Sequence, residues 1–110
     1  MRTVEDAYHL IASALLQSAG AEWDKLTFNA ALLAKSCSNM QTVCFLDDAN
    51  HSIALGFKNG FIVSDAAIFL RDDLLKTTGH RAWGLTYTLL PSGKMNIEYS
   101  YDKPEDYDGD

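Results

Sequence analysis

The chain is poor in the residues that staple or interrupt a fold: two cysteines and two prolines among 110 residues. Cys37 and Cys44 match no zinc-ligand spacing. A hairpin turning at Ser38-Asn39 would set Cys44 opposite Leu33 and away from Cys37, so no disulfide is expected and both are read as buried, reduced thiols. Long apolar runs are missing too. The fattiest stretch, Phe57 to Leu70, is broken by Lys58, Asn59, Ser64 and Asp65, well short of the roughly 18 apolar residues of a membrane span, so no membrane role is expected. The opening MRTVEDAYHL has neither a basic n-region nor an apolar h-region, and a cytoplasmic location is expected from it.

Signatures of chemistry are equally scarce. There is no Gly-rich phosphate loop, no Gly-x-Ser-x-Gly elbow and no His-Glu-x-x-His. His9, His51 and His80 fall on a helix face, in a loop and beyond a helix end, without metal-ligand spacing. Asp47-Asp48 and Asp72-Asp73 are adjacent pairs whose side chains diverge, and Asp72 with Lys76 makes an ordinary i,i+4 pair. No catalytic residue, metal or cofactor is expected.

Positive charge is the other shortage. Nine Lys and Arg face fifteen Asp and Glu, a formal net charge of -6. Within residues 101–110, five acids (Asp102, Glu105, Asp106, Asp108, Asp110) stand against Lys103, which places -4 of the -6 there. Such a surface repels nucleic acid, whose affinity comes from Lys and Arg displacing counterions, and attracts a basic protein.

What is present is a hydrophobic pattern sufficient for one domain over residues 1–102, followed by an acidic tail, 103–110, expected to be mobile. Thr3 and Asp6 form a capping box, and Val4, Ala7, Tyr8, Ile11, Ala14 and Leu15 recur at helical spacing up to Gly20. From Lys25 to Lys35 the period is two, with Leu26, Phe28, Ala30, Leu32 and Ala34 on one face. A second strand is expected over Met40–Leu46, a loop over Asp47–Asn50 and a third strand over Ser52–Phe57, ended by Lys58-Asn59-Gly60. Ser64 then caps a second helix that stops at Gly79. In the last hairpin Trp83, Leu85, Tyr87 and Leu89 alternate on one strand and Met95, Ile97, Tyr99 and Tyr101 on the other, with Trp83 and Tyr87 assigned to the core. The order is α-β-β-β-α-β-β, an α+β fold in which two helices cover one face of an antiparallel sheet of about five strands.

The hairpin AWGLTYTLLPSGKMNIEYSYD carries a resemblance. Its strand-opening Trp83, then Gly93-Lys94-Met95, Ile97-Glu98-Tyr99 and Tyr101-Asp102 before an acidic tail, resembles the YezG-like immunity family of bacterial polymorphic toxin and contact-dependent inhibition systems. Upstream, Glu22-Trp23-Asp24-Lys25 at the start of the first strand is also similar. The resemblance implies a protein that is not an enzyme and that neutralises the C-terminal toxic domain of a cognate toxin, often a nuclease, in the cytoplasm, as a monomer forming a heterodimer. The residues themselves suggest how: Glu98, Asp102, Glu105 and Asp106, with Asp47 and Asp48 elsewhere, offer carboxylates to a basic partner, and Tyr99, Tyr101 and Tyr107 offer aromatic anchors. The alternative is a small acidic secretion-chaperone-like protein that dimerises and holds an effector on an apolar patch including Leu33, Cys44 and Leu46.

Overall fold

A computed structural model describes residues 3–20, 22–33 and 37–103. Helix α1 (Val4–Ser18) starts where the capping box places it: Asp6 N–H donates to Thr3 Oγ1 at 3.1 Å, and Thr3 N–H donates to the Asp6 carboxylate at 3.3 Å. This satisfies two of the N–H groups that a helix start leaves without partners. Its buried stripe is Ala7, Ile11, Ala14 and Leu15, while Glu5, Asp6, His9, Ser13 and Gln17 face water.

Strand β1 (Lys25–Ala31) buries Leu26, Phe28 and Ala30 in strict alternation. It ends earlier than the periodicity predicts, and Leu32 stays buried beyond it. Strand β2 (Ser38–Leu46) contains the two residues expected to make the turn, because the connection from β1 falls before them. The register follows: Leu26 pairs with Cys44 and Ala31 with Ser38, so Cys44 is not opposite Leu33. Both thiols are free, Cys44 buried and Cys37 half-buried.

Asp47 and Asp48 form a two-residue turn with φ of 50° and 65°, the left-handed pair that suits a tight hairpin and that Asp tolerates better than most residues. Strand β3 is therefore Ala49–Ser52, not Ser52–Phe57. Helix α2 runs from Gly56 to Thr78 and absorbs both the supposed strand end and the Lys58-Asn59-Gly60 break. A glycine inside a helix costs only about 1 kcal/mol, and burial of Val63, Ala66, Ala67 and Leu70 outweighs it. Ser64 is an interior, buried residue rather than a cap; its Oγ accepts a hydrogen bond from Cys37 N–H at 2.9 Å. The expected stop holds: Gly79 has φ 79° and its N–H donates to Leu75 C=O.

Strands β4 (Gly84–Leu89) and β5 (Met95–Ser100) close the sheet, giving the antiparallel order β3-β2-β1-β4-β5. The fold is α+β, with the expected element order. One continuous core joins α1 and α2 to a single sheet face, through Leu26, Phe28, Cys44, Leu85, Tyr87 and Leu89. Two guanidinium groups fasten its corner. Arg81 donates to Leu32 C=O and Leu33 C=O, each at 2.8 Å, and Arg71 of α2 reaches Leu32 C=O at 3.4 Å while pairing with Asp72. Asp72 thus meets its neighbour Arg71 at 2.9 Å, where Lys76 was expected.

Because Gly60 lies inside α2, and a Cβ there would meet only Met40 Cε at 3.9 Å, Gly60→Ala is expected to stabilise the fold by about 0.5–1 kcal/mol in urea unfolding. A loss of stability would place residues 58–60 outside a helix.

Candidate functional site

Both helices occupy one face, so the alternate residues of each strand form an open face. Register sets its rows. Gln41, Asn29, Thr86 and Glu98 lie side by side across β2, β1, β4 and β5, and Val43, Thr27, Thr88 and Asn96 make the next row. Ala31, Gly84 and Ser100 form a third row of small residues, and a Cβ at Gly84 would press to 3.3 Å of Ser100 Cβ. Small residues flanked by longer ones leave a depression. A groove of about 510 Å³ results, lined by Asn29, Asn39, Gln41, Trp83, Thr86, Glu98, Ser100 and Asp102 among others.

Trp83 was assigned to the core with Tyr87. Tyr87 is indeed fully buried, but Trp83 precedes β4, stands half-buried beside the groove and stacks with Arg81, whose guanidinium carbon is 4.0 Å from the ring centroid. Lys103 Nζ lies 5.7 Å from the same centroid. Arg81 is held by backbone carbonyls, which fixes the indole through a cation–π contact at a rigid corner. Among the described residues, the charged side chains lining the groove are Glu98 and Asp102, both exposed, with Arg81 and Lys103 against the Trp83 ring at its margin. Asn96 Nδ2 donates to Glu98 Oε1 at 3.4 Å.

Of the proposed contact residues, Glu98 and Asp102 come together here. Tyr99 also borders the groove, yet its position opposite Leu85 places its side chain at the margin of the core, half-buried. Burial pushes its hydroxyl up to about 12, helped by Tyr8, Tyr101 and Asp73. Tyr101 is 51% exposed and meets His80 edge-on, with ring centroids 6.1 Å apart. Glu105, Asp106 and Tyr107 lie outside the described residues. Asp47 and Asp48 sit at the other end of the strands. The seven residues of β1 make six steps between the two ends, about 20 Å at the usual rise per residue, so these acids belong to a different surface. There Asp47 joins Glu22, Trp23, Asp24, Leu46 and Pro91 around a second hollow of about 480 Å³, and Asp47 N–H donates to the Asp24 carboxylate at 2.9 Å.

The polar row Gln41-Asn29-Thr86-Glu98 escaped the sequence reading, although Asn29 and Thr86 were visible as outward positions of alternating strands. Their union depends on β4 pairing with β1, a contact between segments more than fifty residues apart. Among the described residues no group of three His, Cys, Asp or Glu is arranged to hold a metal ion. The Cys37 thiol is pushed up by burial, against the opposing effects of Ser64 and Arg71, and so is poorly disposed to act as a nucleophile.

The buried tyrosines yield a pH signature. Tyr87, whose hydroxyl lies 3.4 Å from Tyr8 C=O and 3.5 Å from Met95 S, is pushed by burial to about 12. Unfolded tyrosine ionises near 10, so between about pH 10 and 12 the unfolded chain loses protons that the fold retains, and stability falls as pH rises. Chemical unfolding across this range is expected to show that decline, and Tyr87→Phe with Tyr99→Phe to flatten it; an unchanged slope would mean that neither hydroxyl is shielded. Comparison of the whole chain with protein-family models and with curated proteins finds no match.

Proposed function

We propose that the protein is a non-catalytic inhibitor, an immunity protein that binds the toxic domain of a cognate bacterial toxin in the cytoplasm of the cell it protects. The observation that carries this reading is the open sheet face, concave at one end, where among the described residues the charged side chains lining the groove are Glu98 and Asp102. A nuclease must present Lys and Arg to hold phosphates, and a carboxylate-lined surface competes for those groups. The resemblance of residues 82–102 to YezG-like immunity proteins supports the same assignment. Trp83, held by Arg81, supplies a rigid, partly apolar anchor of the kind that prolongs a complex, while the acids speed its formation.

A chaperone-like reading calls for a broad apolar surface beneath an unfolded client. The patch imagined for it does not exist as such, since Cys44 is buried under the helices. The open face instead displays Thr27, Asn29, Thr86, Thr88 and Asn96 beside the single apolar Val43 of their rows, a mostly polar surface that suits a folded partner.

The test is co-expression with the terminal domain of a large neighbouring reading frame. This protein is expected to restore growth and to co-purify with that domain as a stoichiometric complex. Glu98→Gln with Asp102→Asn is expected to slow association about tenfold at low ionic strength and to flatten its salt dependence. Rescue without physical association, or unchanged association kinetics in the double variant, would contradict the proposal.

A further inference from the structure

On the helical side of the molecule, the first two turns of α2 leave an apolar surface uncovered. Phe57 is 88% exposed and Phe61 66%, with ring centroids 6.2 Å apart, and Met40 of β2 beside them is 40% exposed. Between these side chains and Cys37, Gly56 and Gly60 lies an apolar hollow of about 270 Å³. Its depth comes from two glycines one helical turn apart. A Cβ at Gly56 would meet nothing within 4 Å and one at Gly60 would meet only Met40, so the helix backbone is open to close approach. Nothing in the core or in the groove of the open face requires two uncovered phenylalanines here.

We propose that this surface binds a second copy of the chain, forming a two-fold dimer in which the α2 helices cross antiparallel near Phe61. A two-fold interface must be complementary to itself, and this patch carries both a projection, the Phe57 ring, and a hollow next to it. At about 270 Å³ the hollow has ample room for one aromatic side chain and lies just under the roughly 300–1,000 Å³ usual for small-molecule sites. Charge points the same way. Lys58 and Asp65, two turns apart, share one flank of the helix, and among the described residues neither takes part in an ion pair within the chain. Antiparallel crossing sets Lys58 of one copy against Asp65 of the other, twice by symmetry. Area sets the strength. At about 150–250 Å² for each aromatic side chain, Phe57, Phe61 and Met40 offer about 350 Å² per copy. The pair therefore supplies about half of the 1,200–2,000 Å² of a stable interface, and the rim must provide the rest, which marks a reversible dimer rather than an obligate one. Met40 and Gln41 point to opposite sheet faces, so this dimer leaves both open-face grooves free.

Sedimentation velocity on the full chain, from about 1 to about 500 µM, tests the proposal. The wild type is expected to pass from monomer to dimer within this range. Phe57→Glu and Phe61→Glu, at exposed sites, are expected to remain monomeric with unchanged circular dichroism. Lys58→Asp is expected to weaken the dimer about tenfold, and Lys58→Asp with Asp65→Lys to restore it. A wild type monomeric throughout, a dimer that survives Phe57→Glu, or a charge exchange that fails to restore association would each overturn the proposal. So would a monomeric wild type whose toxin binding alone is lost in Phe57→Glu, which would assign the surface to that partner.

Discussion

Strand β1 is hydrogen-bonded along both edges, to β2 on one side and β4 on the other, and the rest of the molecule is arranged around that double pairing. Phe28 lies between Thr42 and Tyr87 in register, and Leu26 between Cys44 and Leu89, so the side chains that α1 and α2 must cover come from three strands at once. A one-residue slip of β1 would turn Leu26 and Phe28 to water and bring Thr27 and Asn29 under the helices. Burying those two hydrophobic side chains is worth about 1.5–3 kcal/mol each, a gain the slipped register forfeits. The same alternation that fixes the core therefore fixes which residues are displayed on the other face.

That display is a consequence of asymmetry. Both helices take one side, and no described element covers the opposite one, where Thr, Asn and Gln side chains stand in rows. Gly84 and its small neighbours lower the floor of these rows near the Ser100 end, and Arg81 props Trp83 at the margin while its other contacts tie down the chain after β1. The corner that holds α2, β1 and β4 together is thus also the corner that shapes the groove. Such coupling favours binding at the groove, since a preformed surface loses less entropy on association than a loose one.

Element identity was readable wherever the signal was local. The Thr3–Asp6 capping box, the alternation of Leu26, Phe28 and Ala30, the Gly79 stop and the last hairpin each depend on residues within a few positions of one another, and each stands. The failures occurred where two local rules compete. Lys58-Asn59-Gly60 looks like a break, yet helical burial further along α2 overrides it; Ser38-Asn39 looks like a turn, yet the β1–β2 connection falls earlier. Glu98 and Asp102 were legible as exposed surface candidates from their place in the hairpin. Asn29, Gln41 and Trp83 were not, because only the order β2-β1-β4-β5 brings them to the same groove. For the same reason Asp47 and Asp48, acidic by composition, separate from that groove to the far end of the strands.

The surface proposed to meet a basic partner is the open sheet face. Amide hydrogen exchange of the chain, alone and saturated with the cognate toxic domain, measures this directly. Added protection is expected at residues of the groove and its rows, Asn29, Gln41, Trp83, Thr86 and Glu98, with little change along the exposed side of α1. Protection confined to the helices, with the groove exchanging as fast as in the free protein, would contradict the account.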